Sequence, residues 1–237
     1  SFWLYLFKIK KNAGLNDFSE ETHDYFLILH VGNHLIWLVY LLMEIKQQAS
    51  TAGMYKSLAF RLRNLLVAPV AEWQRIHRES SPFNDMLSSF ALPMIGLVTL
   101  ATFISHLINQ QAFIFELALK KALLMFMTLF AGLFIAWYLV YRLMPYFHLV
   151  SSRELSAKLT IYSSAPLYAV SLVTALIPEF FFIQILAFYS FYLTWTGIRN
   201  LPGPGQDRKF LFSIIIAFLV LVLPFVVRIL LLNLLTI

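Results

Sequence analysis

Between Leu159 and Ile198 the chain runs for forty residues with one charged side chain, Glu179, which follows Pro178 near the middle. A bilayer's hydrocarbon core is about 30 Å thick and an α-helix rises about 1.5 Å per residue, so about 20 apolar residues cross it once. Forty residues are therefore two crossings. Proline has no amide donor and disfavours helical geometry in the residue before it, which makes Ile177–Pro178–Glu179 a turn. The stretch predicts a tight helical hairpin, Leu159–Ile177 then Phe180–Ile198, with Glu179 at its tip on one membrane face.

The same criterion finds three more spans, Phe90–Ile108, Ala122–Tyr141 and Phe210–Val227. Only 13% of residues are charged, against roughly 25% in soluble domains, so the apolar runs are not the core of a water-soluble fold. Alternating patterns are absent, and helices satisfy their own backbone in lipid; the expectation is an all-α integral membrane protein with five transmembrane helices. The net charge of +6 is too diffuse for nucleic acid and fits loops held at one membrane face. With no cysteine there is no disulfide framework, thiol nucleophile or cysteine metal site. The opening "SFWLYLFKIKK" places its charges after the apolar stretch, the wrong order for a secretory signal.

Orientation follows from the lysines and arginines beside the spans. One side receives Lys56, Arg61, Arg63, Arg75, Arg78, Arg142, Arg153, Lys158, Arg199, Arg208 and Lys209, which are eleven; the other receives Lys120, Lys121 and Arg228, which are three. The imbalance predicts a multi-pass protein of the cell membrane with residue 54 onward entering from the cytoplasm and the C-terminus outside. Arg228 lies 18 residues beyond the start of the last span, about 27 Å of helix. That predicts a snorkelling arginine near the outer interface, with a buried functional arginine as the alternative.

Residues 1–53 read as an N-terminal extension that contains an apolar helix at about 25–43 and the linker "QQASTAG". His30, Gly32, Asn33 and His34 make a crossing by that helix unfavourable, and it is expected to lie on the membrane or against the other spans. From Met54 a basic amphipathic segment follows: Leu58, Leu62, Leu65 and Leu66 share one face, Pro69 restarts the helix, and Trp73 and Ile76 repeat the spacing. Such a helix before a span is expected in the cytoplasmic interface, with Arg61, Arg63, Trp73, Arg75 and Arg78 at the lipid headgroups. The alternative is packing on a cytoplasmic partner.

Few constellations carry chemistry. His30 and His34 share a helix face, and with His23 and Glu20 they form a weak candidate metal site; no zinc-peptidase Glu follows His30, so neither metal nor cofactor is expected. His106 and Glu179 fall near span ends, within reach of water. No span carries Asp, Glu or Lys at its middle, which argues against a proton-driven pump. Ser163, Ser164 and Ser171 lack a matched histidine–carboxylate partner, and "PGPG" is no phosphate loop. Pro166, Pro178 and Pro224 are the helix-kink and packing positions, and Gly132 with Ala136 permits close helix approach.

The segments "RNLLVAPVAEWQRI", "IYSSAPLY" and "FYSFYLTWTGIRNLP", with the five-span layout, resemble the Yip family, the Ypt/Rab-interacting-protein type of membrane domain. The resemblance rests on Pro69, Glu72, Trp73, Ile76, Tyr162, Ser163, Pro166, Tyr189, Tyr192, Gly197 and Pro202 and covers about 54–237. The chain's style is similar to bacterial, inner-membrane members. The resemblance implies Golgi and endoplasmic-reticulum traffic with Rab GTPases for eukaryotic relatives, and a membrane scaffold for the bacterial branch, which lacks Rab proteins. The expected function is non-enzymatic: organising membrane lipids, a homo-oligomer or a membrane-protein partner, with no nucleic acid. A transporter or channel-like protein for a lipid or small solute is the runner-up, and a metal-dependent membrane enzyme using His23, His30 and His34 is a third reading.

Overall fold

The computed structural model describes residues 52–108, 115–203 and 205–235. The predicted helix at 25–43, with His23, His30 and His34, lies outside them. The chain divides after Gly53, and Met54–Ile237 forms a compact unit of its own.

The described residues are helical almost throughout and contain no strand. A first helix, α1 (52–67), stops at Ala68. A second, α2 (Pro69–Arg78), starts with proline at its first position, where the missing amide costs nothing. Glu72 in its first turn and Arg75 and Arg78 in its last complement the helix dipole.

Five helices are long and apolar enough to cross a bilayer. Span 1 is α3 (Phe83–Ile108), with one π-helical turn over Leu87–Ala91. Span 2 is α4 (Phe115–Leu143), closed by a 3₁₀ turn at Met144–Phe147. Span 3 is broken into α5 (Arg153–Ser163) and α6 (Ala165–Leu176) at Ser164, two residues before Pro166. Span 4 begins as a 3₁₀ segment, Pro178–Phe188, and continues as α7 (Tyr189–Ile198). Span 5 is α8 (Gln206–Leu235), which contains Pro224. Because successive spans reverse direction, the starts of spans 1, 3 and 5 share a near face with α2. The 3–4 hairpin tip lies at the far face.

The helices are longer than their apolar runs, since polar first turns extend them. Ser152 caps α5 by accepting the Leu155 N–H at 3.2 Å. The hairpin turns where Ile177 takes an extended conformation (φ −129°, ψ 87°) before Pro178. The 3₁₀ start of span 4 is a feature that apolarity does not announce. At about 2.0 Å rise per residue against about 1.5 Å in an α-helix, it lengthens the span by roughly 5 Å.

Span 3 is the central helix: every residue from Ser156 to Ser163 is buried, all round its circumference. Trp73 and Ile76 of α2 join one core with Phe90, Met94 and Ile95 of α3 and Tyr162 and Tyr168 of span 3. Several buried hydroxyls are satisfied within their own helices. Thr160, Ser164, Thr194 and Ser213 each donate to the carbonyl four residues back, at 2.7–2.8 Å. Large apolar side chains such as Phe181, Leu211, Phe218 and Phe225 face outward, as a lipid-solvated surface requires. Gly132 of α4 meets Pro224 of α8 so closely that a Cβ on it would lie 2.8 Å from the Pro224 Cγ.

Candidate functional site

Charged side chains from α1, α2 and α5 meet at the near face. The pattern of α1 places Arg61 opposite its exposed residues, where it reaches both α2 and span 3. Its guanidinium grips Glu79 with two parallel bonds, Nη1 to Oε2 at 2.9 Å and Nη2 to Oε1 at 2.7 Å. Nη1 also donates to the Tyr162 hydroxyl at 2.9 Å. A planar fork matched to a carboxylate is the strong form of such a pair.

Glu72 is almost completely buried between two cations, 3.7 Å from Arg61 Nε and 3.6 Å from Arg75 Nη1. It also accepts from Asn64 Nδ2 at 3.0 Å. Lys158, buried at the start of span 3, holds Glu154 at 2.8 Å and donates to the backbone carbonyl of Glu79. It therefore sits at the C-terminal end of α2, where a positive charge is favoured. Glu154 in turn accepts the Ser81 N–H at 3.1 Å, tying down the link to span 1. Arg61, Arg75 and Lys158 against Glu72, Glu79 and Glu154 make three positive and three negative charges. The network is neutral.

Trp73 anchors the same corner. Its indole lies flat against the backbone of α7 at Gly197, where a Cβ would come within 2.8–2.9 Å of three ring carbons. It packs edge-on to Tyr162 (6.3 Å) and beside His77 (5.4 Å). His77 Nε2 carries its proton, because it donates to the Gly197 carbonyl at 2.8 Å. The Tyr189 hydroxyl adds a further tie, donating to the Leu66 carbonyl at 3.1 Å.

These surroundings set protonation. Burial pushes the His77 pKa below its ordinary value, with Lys158 adding to the effect and the Gly197 bond opposing it, so the ring is neutral. The hydrogen bond from Arg61 holds Glu79 below the usual carboxylate range, against burial. Burial disfavours the charge on Arg61, yet Glu79 and Tyr162 together raise its pKa.

Beside the network opens a cleft of about 650 Å³ between α2, the start of α5 and the end of α7. Gln74, His77, Arg78, Lys158 and Asn200 line it, with Trp73. It offers a mixture of donors and acceptors next to an indole, and suits a polar segment better than an apolar ligand.

The structure separates the sequence-predicted interface residues into two groups. Trp73 and Arg61 are turned into the protein. Arg63, Arg75 and Arg78 are exposed. Glu79, His77, Glu154 and Lys158 had not stood out in the sequence. Glu79 is 18 residues from Arg61 and Tyr162 is 101, so no local spacing joins them. Pro166, Pro178 and Pro224 lie at the span 3 break, at the hairpin turn and inside α8. Among the described residues no group of three His, Cys, Asp or Glu could hold a metal.

A second crevice, of about 320 Å³, lies at the far face between the ends of the spans and is lined by Lys121, Thr128 and Arg228 among others. No curated protein and no solved structure matches the chain. The sequence pattern of the Yip1 domain matches residues 63–227.

Proposed function

The chain belongs to the Yip1 domain family of membrane proteins, and we propose that it acts as a non-enzymatic scaffold that organises membrane lipids or partner proteins at its near face. The single observation that carries this reading is how the near-face charges are used. Three acids and three bases are consumed in fixing α1 and α2 to each other and to span 3, which produces a rigid platform instead of a reactive set. The cleft beside it is the docking place for a polar segment of a partner, with Gln74, Arg78 and Asn200 as its reading groups. The near face is cytoplasmic, because the larger set of eleven lysines and arginines borders it.

Two measurements test this. In vesicles containing the purified protein, solute leakage and exchange of labelled lipid between leaflets should match protein-free vesicles; clear acceleration of either would replace the scaffold with the transporter reading. In native membranes, a photocrosslinker placed at Gln74 should give a discrete protein adduct that weakens on Arg78→Ala, and no adduct at Gln74 would count against the docking cleft. The sidedness is read separately. The chain has no cysteine, so Ser152→Cys and Lys120→Cys report which face an impermeant maleimide reaches. Labelling of Ser152→Cys from outside intact cells would reverse the assignment.

A further inference from the structure

The far-face crevice differs from the neutral near-face network in the use of its cations. Lys121 and Arg228 both line it, and among the described residues neither forms an ion pair. The two described acids of this face do not neutralise them: Glu116 pairs with Lys120 at 2.7 Å, and Glu179 is exposed and forms no ion pair. His106 lines the same crevice and donates Nδ1–H to the Thr102 carbonyl at 3.0 Å, which leaves Nε2 available.

Helix packing places the two cations along one crevice. α4 runs from far face to near and α8 from near to far, and they touch at Gly132 and Pro224. Arg228 is four residues beyond Pro224, and Thr128 is four before Gly132, so both lie about 6 Å from that contact toward the far face. Lys121 follows on the same side of α4, about 10 Å further out. Thr128 is 4% exposed and its hydroxyl has no hydrogen-bond partner, although it lines the crevice. A buried hydroxyl with nothing to bond is costly, and calls for a ligand with polar atoms.

The level of Arg228 identifies that ligand. Helix α8 continues past it through Ile229, Leu230 and Leu234, all exposed. Apolar surface facing outward there means that lipid surrounds α8 for about 10 Å beyond the arginine. A cation at that level, with no acid paired to it among the described residues, can draw its anion from the membrane. Phe181, exposed at the rim, offers apolar surface for acyl chains.

We propose that this crevice binds an anionic phospholipid, its phosphate held by Arg228 and Lys121 and receiving the Thr128 O–H, and its acyl chains passing Phe181 toward the middle of the membrane. A soluble phosphate could satisfy the same cations, but it would not engage the apolar rim. The assignment goes beyond the scaffold reading and does not depend on it.

The test is native mass spectrometry of the full chain released from nanodiscs of equal phosphatidylglycerol and phosphatidylcholine. One phosphatidylglycerol should remain per chain in preference to phosphatidylcholine. Arg228→Gln and Lys121→Gln should each lower that retention about tenfold, the effect of losing one charge-assisted contact. Arg228→Lys should keep most of it, and Arg63→Gln at the near face all of it. Equal retention of both lipids by the wild-type chain, which needs no variant to fold, overturns the proposal. So does undiminished retention in the glutamine variants. Thermal protection of delipidated protein by millimolar inorganic phosphate, with none from phosphatidylglycerol, would assign the site to a soluble anion and overturn the lipid.

Discussion

Replacing Gly197 with alanine tests whether the α2 anchor is a steric fit. The added Cβ would meet Trp73 Cε2, Cζ2 and Cη2 at 2.8, 2.8 and 2.9 Å. Those atoms belong to a rigid ring that is 1% exposed and hemmed in by Tyr162 and His77, so it cannot swing away as a lysine tip would. Overpacking of this kind costs about 1–3 kcal/mol. For a domain of this size each kcal/mol moves the melting temperature by roughly 2–4 °C, so Gly197→Ala should melt about 2–12 °C below wild type.

Destabilisation alone would not identify Trp73 as the obstacle. Trp73→Phe should cost about 1–3 kcal/mol through the cavity it leaves. In the double variant the smaller ring gives the new methyl room, so the two losses should fall short of their sum by at least about 1 kcal/mol. The assay is fluorescence-detected melting of the four proteins in one detergent at one scan rate. Strict additivity would refute the reasoning, as would a Gly197→Ala protein that melts with wild type.

Glu79→Gln keeps the shape of the Arg61 partner and removes its charge; the loss of a bidentate ionic bond should lower stability by about 1–2 kcal/mol, read by the same melt. Acidification should loosen the near face in two stages. His77 has a folded pKa below its ordinary 6.5, so the unfolded state binds more protons and stability falls as pH drops below about 6.5. Glu79, depressed below 4.5, contributes stability that is present above that value and lost on further acidification. His77→Gln should remove the first stage and leave the second, measured as melting temperature against pH. Gly132→Ala should place a methyl 2.8–3.0 Å from Pro224 atoms and cost about 1–3 kcal/mol; an unchanged melt would mean that α4 and α8 do not pack this closely.

The spans were legible because lipid solvation acts on each segment separately. A run of apolar residues must form its own hydrogen bonds, whatever lies beside it. Their ends were less so, since α4 begins at Phe115 and carries Lys120 and Lys121 in its opening turns, with the Glu116–Lys120 pair supporting a helix that apolarity would start at Ala122. The 3₁₀ segment at Pro178–Phe188 was invisible for a different reason: an apolar run has the same composition in either geometry. Amphipathicity in α2 shows that Trp73 and Ile76 are covered, but the same stripe serves a headgroup layer or a neighbouring helix. Only the placement of Gly197 beneath the indole decides for the protein.

Charge needed the fold most of all. Counted along the sequence, the near face is the basic one, with eleven cations to three. In space Arg61 and Arg75 are matched by Glu72 and Glu79, and Lys158 by Glu154, so these cations serve the fold. The far face has few cations, but Lys121 and Arg228 meet in one crevice without a described acid to pair them. Binding potential depends on charge left over after pairing and on how dry its surroundings are, since an unmatched cation among apolar neighbours attracts an anion more strongly than a solvated one. By that measure the crevice at the face poorer in lysine and arginine is prepared for an anionic ligand.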